Sequence, residues 1–501
     1  MMAKNSVNFE EALNMTGFGK FNLWALLVSL SLIMGMTFEV VSVAYLVPAS
    51  ACDLNTTVTQ QGLMASMPLL GIIASSHFLG YMADTRGRRR VLGWSMWVAF
   101  VCGAAAALSP NWIVFCVLKF MSAGALAGTI ALSLTWLSEC TPQNRRSILV
   151  SLTTTIYLVT TGCMAVLAIP VLQLKFSYYI PYFNIYFTSW RLLNLVFAST
   201  CAVGAICMFC SYESPRYYLC MGEEEKALEV LRGIYAINSG NNAEDYEVTS
   251  VVLGEDTGEP NKGMFSSMLA QTLPLLKPPL LKNTVLLAVL FIIAYTGISP
   301  FILWLPFIAD SIMKAKEKGE ANMSFCQMLL STQNSTLTET SDCSLNTFAL
   351  LTVCVTSITL GVVNIVLSTV VNYVGRKRMV IAVQIVAGTA GLCVNATNSW
   401  IIGTVCLMVY LSGTVNFGFV STFSVDVFPT YVKAMAVCLT LMIGRVSSVL
   451  GINILKNLLV TDCQLAFYCF AGLTFIGGFV ALLLPDDVKK YKKGTAEVLP
   501  S

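Results

Sequence analysis

Gly80-Tyr81-Met82-Ala83-Asp84-Thr85-Arg86-Gly87-Arg88-Arg89-Arg90 is a short charged turn set between two apolar runs, about 62–82 and 91–108. Each run has roughly the 17–25 residues that cross a hydrocarbon core at 1.5 Å per residue. A weaker echo, Asn372-Tyr373-Val374-Gly375-Arg376-Lys377-Arg378, again lies between apolar runs near the start of the second half. Two long hydrophobic halves, each pinned by a basic turn in a comparable place, point to two membrane-embedded repeats.

The composition agrees. Of 501 residues, 56% are hydrophobic and 11% charged, with a mean hydropathy of +0.72. A soluble chain carries about a quarter charged residues, so this one lacks the polar surface to face water all round. The basic residues are scattered between apolar spans, which gives no support to nucleic-acid binding. One histidine offers no zinc cluster, and no Walker loop or nucleotide fingerprint stands in a suitable context. Neither an enzyme, a metal nor a cofactor is expected. Most of the 17 cysteines, such as Cys102, Cys116, Cys163 and Cys438, sit inside apolar runs and read as polarizable packing residues. No cleavable signal peptide is evident; the first apolar run is long enough to remain as a span.

Taken in order, the chain offers twelve spans, at about 21–47, 61–82, 91–108, 112–137, 148–170, 190–211, 283–308, 347–371, 379–397, 400–425, 433–460 and 464–485. The expected organisation is a tail 1–20, a six-helix half 21–211, a polar linker 212–282, a second six-helix half 283–485 and a tail 486–501. Arg86 to Arg90, Arg145, Arg146, Arg376 to Arg378, Lys433 and the C-terminal lysines then fall on one side, which the positive-inside rule makes cytoplasmic, with both termini. The sequons at Asn55, Asn322 and Asn334 fall on the other side, where glycosylation occurs. Asn14 and Asn395 match the same tripeptide but are expected to stay bare. A disulfide between Cys326 and Cys343 would close the oxidising outer loop. Tyr178, Tyr179, Tyr182 and Trp190 suit a membrane interface.

Several stretches carry a resemblance. The two basic turns look like the signature loops of the major facilitator superfamily, between helices two and three and between helices eight and nine. Ser189-Trp190-Arg191 and Tyr212-Glu213-Ser214-Pro215-Arg216 resemble elements shared by its sugar-porter and organic-ion branches. Val425-Asp426-Val427-Phe428-Pro429 and Arg445-Val446-Ser447-Ser448-Val449-Leu450-Gly451 are similar to the synaptic vesicle glycoprotein 2 group. The resemblance covers about residues 20–486. It implies an all-α membrane fold, a major-facilitator-like bundle of twelve transmembrane helices in two pseudo-symmetric halves. The activity it implies is secondary transport of a small polar or ionic organic solute by alternating access, by a monomer in lipid, with a coupling proton or ion. The alternative is a vesicle or surface glycoprotein that mainly binds or traffics, and the membrane is the plasma membrane or that of an intracellular vesicle. Met36, Asn372, Phe417 and Ser421 stand where the family pattern has Asp, Asp, Trp and Asp.

Glu39 is the sharpest candidate, since a carboxylate inside a first span must face a cavity or a partner. The resemblance puts Lys119, in the fourth span, within reach of it. Glu39 therefore serves substrate or proton handling, or a structural bridge between helices. Arg445, mid-way along the eleventh span, could hold an anionic solute or only pair and gate, while Lys456 on the same helix is expected to snorkel. Tyr295, Trp304, Asn416 and Phe417 could form an aromatic pocket with a few polar groups, or merely pack. Gly297, Pro300 and Pro306 are expected to interrupt the seventh span. Asp84, Arg88, Glu139 and Arg145 in the first half, and Arg376, Asp426 and Lys433 in the second, read as ionic gates, with simple positive-inside anchoring as the alternative. Gly124 and Gly128 read as sites of close helix packing.

Overall fold

The computed structural model describes residues 6–252, 272–278, 280–319, 323–335, 345–396, 398–428 and 430–485. Among the described residues, the chain is all-α apart from two small two-stranded sheets. Among the described residues, nine helical stretches are long and apolar enough to cross a membrane, from Lys20–Ser50 to Cys463–Ala481. Val159–Leu172 is a shorter apolar helix.

The fold divides into two compact units. The first comprises Met1–Ser42, Met67–Met164 and Leu174–Lys262; the second comprises Val43–Ser66, Ala165–Gln173 and Gly263–Ser501. The core of the first is built from Leu32, Leu92, Met96, Trp136 and Cys201, all fully buried. Gly71 and Gly124 let the Val58–Arg86 and Trp112–Ala125 helices cross closely: a Cβ on Gly124 would lie 2.9 Å from Ser75 Oγ. Gly128 does something else, since it occupies the turn before Thr129–Glu139 and its added Cβ would meet Leu132 of that next helix.

The second unit is centred on Leu287, Leu290, Phe291, Val420 and Phe423. Its longest element corrects the expectation of an interrupted seventh span. Leu281–Glu317 is one helix of 37 residues, with Pro300 and Pro306 inside it. A proline removes one backbone donor, but the helix goes on where neighbouring helices hold it. Here Gly444, Ser448 and Gly451 of Thr430–Thr461 pack against it, and Ser448 Oγ lies 3.0 Å from Ser299 Oγ.

The described parts of the tail and linker, up to residue 252, carry more structure than their polarity implies. Ser6–Asn8 pairs in parallel with Ser250–Val252. Phe9–Met15 lays Phe9, Ala12 and Leu13 against Leu228 and Leu231 of the amphipathic helix Glu224–Ser239. Tyr246 Oη donates to the Ala12 carbonyl at 2.6 Å, and Arg146 reaches Glu10 at 2.9 Å. Burial pushes the Tyr246 pKa up, with Arg232 opposing.

The two basic turns share one backbone conformation. Gly87 has φ 94° and ψ 147°, and Gly375 has φ 91° and ψ 147°, each at the N-terminus of the following helix. Only glycine adopts that region without strain. Around Gly87 the turn is capped from far along the chain: Glu213 Oε1 accepts the Arg89 N–H at 2.8 Å and Oε2 the Arg90 N–H at 3.4 Å. That carboxylate satisfies donors that a helix start leaves open and lies at the positive end of the helix dipole.

Cys326 is bonded to Cys463, with Cα atoms 5.5 Å apart, not to Cys343, which lies outside the described residues. The helix Phe325–Ser335 carries Cys326 onto the first residue of Cys463–Ala481, a tertiary contact that sequence spacing does not encode. Asn395 Oδ1 accepts the Cys326 N–H at 3.1 Å, and Asn14 Oδ1 accepts the Gln143 N–H at 3.1 Å, so both sequon amides serve the fold.

Two outcomes follow. Gly87→Ala loses about 1–3 kcal/mol to backbone strain and also displaces Glu213, whereas Glu213→Ala loses about 0.5–2 kcal/mol as a missing cap; thermal midpoints of the detergent-purified protein rank them in that order. Non-reducing peptide mapping recovers a Cys326–Cys463 peptide, and Cys463→Ser leaves Cys326 open to alkylation.

Candidate functional site

In the first unit, the Lys20–Val41 helix presents Glu39 to Lys119 of Trp112–Ala125. Lys119 Nζ lies 2.7 Å from Glu39 Oε1, and neither side chain has any solvent exposure. The ammonium also donates to Ser42 Oγ at 3.0 Å. Ser122 Oγ stands 2.9 Å from Glu39 Oε1 and 3.0 Å from the Ala99 carbonyl, so its single proton serves one of them at a time. Glu39 Oε2 is buried and accepts no hydrogen bond. Gly103 makes room for it, since a Cβ there would lie 2.7 Å from that oxygen. The result is a paired, desolvated carboxylate with Oε1 held by Lys119 and Oε2 without a hydrogen-bond partner among the described residues.

A second cluster surrounds the Gly87 turn. Arg88 Nε lies 3.4 Å from Glu139 Oε2, which Ser214 Oγ also approaches to 2.5 Å. The structure thus brings Arg88 and Glu139 together as the sequence predicts. It does not bring Arg145 to them: that guanidinium lies 5.9 Å from the Phe18 ring, and its neighbour Arg146 makes the acidic contact. The side chains of Asp84, Asp426 and Lys433 lie outside the described residues. Arg376 begins the helix after Gly375. Around Gly375 an added Cβ would meet nothing within 4 Å among the described residues, whereas at Gly87 it would meet Glu213.

In the second unit, the Tyr295 and Phe417 rings stack at 4.7 Å and 30°, and Arg445 sits within hydrogen-bonding reach of the Tyr295 hydroxyl. Gly444 permits this, since a Cβ would lie 2.6 Å from the Tyr295 ring. Next to Phe417 in sequence, Asn416 is 1% exposed, and among the described residues neither its amide oxygen nor its nitrogen has a partner. An unsatisfied buried polar group costs about 1–3 kcal/mol, so Asn416, like Gln384, has something to gain from a polar partner.

Trp304 does not join that cluster. It is nine positions from Tyr295 on one helix, about 13 Å along the axis, and its indole N–H donates to the Ile452 carbonyl at 3.2 Å. Its ring instead faces Lys456, whose Nζ lies 4.6 Å from the Trp304 centroid and 3.3 Å from that of Phe307. Lys456 is 2% exposed and so does not snorkel; the two rings hold the ammonium where it is.

Sequence reasoning missed the roles of Glu213, Ser214 and Arg191. Arg191 donates to the Ala107 and Ser109 carbonyls at 2.7 and 2.9 Å, closing the end of the Arg88–Ala106 helix. The motifs containing these residues are visible in the sequence; the partners named here are 75 or more residues away. Of the sequons, Asn55 is exposed in a turn, Asn322 lies outside the described residues, and Asn334 lies in the Phe325–Ser335 helix with its side chain outside them.

A family model described as the Major Facilitator Superfamily matches residues 27–331. The chain is similar to the "Putative transporter svop-1" of Caenorhabditis elegans, 26% identical over 290 residues, covering 57% of this chain and 50% of that protein. It is similar to human "Synaptic vesicle glycoprotein 2B", 27% identical over 235 residues, covering 46% of this chain and 34% of the relative. The chain therefore spans half the length or less of these two curated relatives. Among solved structures, the inward-open xylose transporter XylE from E. coli aligns with a TM-score of 0.67 at 12% identity, covering 94% of this chain and 98% of that one. The nucleoside transporter NupG aligns with a TM-score of 0.63 at 11% identity, covering 93% and 100%. These structural likenesses establish the fold, and the family match establishes the lineage: the chain belongs to the major facilitator superfamily.

Proposed function

We propose that the protein is a secondary-active transporter that moves a small polar or ionic organic solute by alternating access, coupled to a proton or ion. The observation that carries this reading is the fully buried Glu39–Lys119 pair with its vacant carboxylate oxygen. Taking two charges out of water costs several kcal/mol for each ion, so a membrane protein keeps such a pair at considerable expense. A carboxylate that exchanges a proton at Oε2 while Lys119 and Ser122 hold Oε1 gives that expense a use.

The architecture we propose is twelve spans in two six-span halves, 21–211 and 283–485, with tails 1–20 and 486–501 and a linker 212–282, both termini cytoplasmic. The shared geometry of Gly87 and Gly375 supports the repeat. We place the chain beside the synaptic vesicle glycoprotein 2 and organic-ion branches, in a plasma or vesicle membrane, working as a monomer. In the second unit, Arg445, Tyr295, Phe417 and Asn416 offer a cation, two stacked rings and an unsatisfied amide, which suits a solute with an aromatic or planar body and polar groups. Arg88 and Glu139 form the gating contact of the first half. Asp84, Arg145, Arg376, Asp426 and Lys433 complete the proposed ionic gates, and Asn55, Asn322 and Asn334 are the proposed glycan sites.

The decisive measurement is solute uptake into sealed proteoliposomes under an imposed pH gradient, after a broad flux screen has supplied a transported compound. Glu39→Gln keeps the shape of the side chain, reaches the membrane folded and loses gradient-driven uptake while solute exchange persists. Unchanged gradient-driven uptake would remove Glu39 from coupling. A purely structural bridge gives another pattern: a low folded yield for Glu39→Gln, restored when Lys119→Met is added.

Asn416→Ala is expected to weaken solute binding with little loss of folded yield, because the amide makes no hydrogen bond that the variant would break. Arg445→Lys keeps the charge but loses the planar contact with Tyr295, raising the half-saturating concentration more than it lowers the maximal rate. Concentration dependence of uptake for the two variants reads both effects; wild-type values for both would place the solute elsewhere.

A further inference from the structure

The charged turn carries more arginines than the gate uses. Arg88 meets Glu139, and Arg89 donates to the Phe209 carbonyl. Arg86 and Arg90 are exposed and meet no carboxylate among the described residues. Both line a groove of about 530 Å³ in the first unit, between the Val58–Arg86, Arg88–Ala106 and Trp112–Ala125 helices. The rest of its wall is apolar or small, including Phe78, Met82, Trp94 and Met121, and among the described residues no carboxylate lines it. Phe78 and Trp94 are each 58% exposed and Met121 is 52% exposed, so the groove is open at its side.

Its dimensions identify the occupant. From Ser75 to Arg86 is eleven residues, about 16 Å along the helix, which is about half of a 30 Å hydrocarbon core. The groove thus runs through one leaflet and stops, too short for a partner helix that crosses both. Its charge sits at one end alone, beside the basic turn. A long apolar slot with two guanidinium groups at one end complements a molecule with a long apolar chain and an anionic head. Basic pockets between transmembrane helices bind such head groups, and paired arginines suit a phosphate better than point charges do.

We propose that this groove is a binding site for one anionic phospholipid, with an acyl chain along Phe78, Trp94 and Met121 and the phosphate held by Arg86 and Arg90. The site is distinct from the Glu39–Lys119 pair and the Tyr295–Phe417 stack, and it stands whether or not the chain transports.

Trp94 provides the reporter. The full-length protein is reconstituted in bilayers of phosphatidylcholine into which a minor fraction of dibrominated phosphatidylglycerol, or dibrominated phosphatidylcholine with the same chains, is titrated. The contribution of Trp94 to the fluorescence is taken by difference from Trp94→Phe, since the chain has 8 tryptophans. Two arginines at the head group give a preference for the anionic lipid on the order of 10- to 30-fold in half-quenching concentration. Arg86→Gln with Arg90→Gln brings that preference close to one, and Arg86→Lys with Arg90→Lys keeps most of it, which separates loss of charge from loss of fold. Equal quenching of Trp94 by the two brominated lipids in the wild type overturns the proposal. So does a preference that survives the double Gln substitution.

Discussion

A charge in hydrocarbon must find its counter-charge inside the protein, and the Glu39–Lys119 contact is where this chain meets that constraint most severely. Both groups have left water completely. Their attraction offsets the desolvation only because Ser42 and Ser122 complete the geometry. The surrounding helices are shaped to suit: Gly103 leaves space for the second oxygen, and Asn194 fixes the Gly103 carbonyl at 2.8 Å. The pair joins two helices of the first unit through a single carboxylate oxygen.

The second unit meets the same constraint differently. Arg445 and Lys456 share one helix; Arg445 reaches the Tyr295 hydroxyl of Leu281–Glu317, and Lys456 rests against the Trp304 and Phe307 rings of that same helix. Aromatic faces stabilise a cation by about 2 kcal/mol or more when it is desolvated, less than a carboxylate does, and leave its charge unneutralised. The basic turns differ in the same sense. Glu213 and Glu139 crowd the turn at Gly87, while the space next to Gly375 is open. The turn at Gly87 is thus closed by acids brought from far along the chain.

Much of the fold was legible because membrane burial writes itself in composition. Apolar runs, glycine before a basic cluster and the first-span carboxylate all led to the elements seen. The Glu39–Lys119 contact was legible only through the resemblance, which placed the two helices side by side. What stayed hidden was pairing at long range. Cys326 chooses Cys463, and Trp304 turns away from Tyr295, because helix rotation and tertiary docking decide which face meets which neighbour. Lys456 looked like a residue that reaches for water, and only the positions of Trp304 and Phe307 reveal that it does not. Pro300 and Pro306 read as breaks because local backbone chemistry says so; the Gly444, Ser448 and Gly451 face that supports a continuous helix lies about 150 residues later.

The small parallel sheet between Ser6–Asn8 and Ser250–Val252 sets an order on assembly. Tyr246 reaches Ala12 across 234 residues of sequence. At a synthesis rate of about 5–20 residues per second, the early strand waits roughly 10–50 s for its partner to leave the ribosome. During that interval the Phe9, Ala12 and Leu13 face has no Leu228 or Leu231 to cover it, although the first helices have already been made. The sheet closes only after the whole first set of apolar runs has been synthesised. Its closure therefore marks a completed first unit, and a nascent chain stalled before Glu224 would expose an apolar strip for chaperones to recognise.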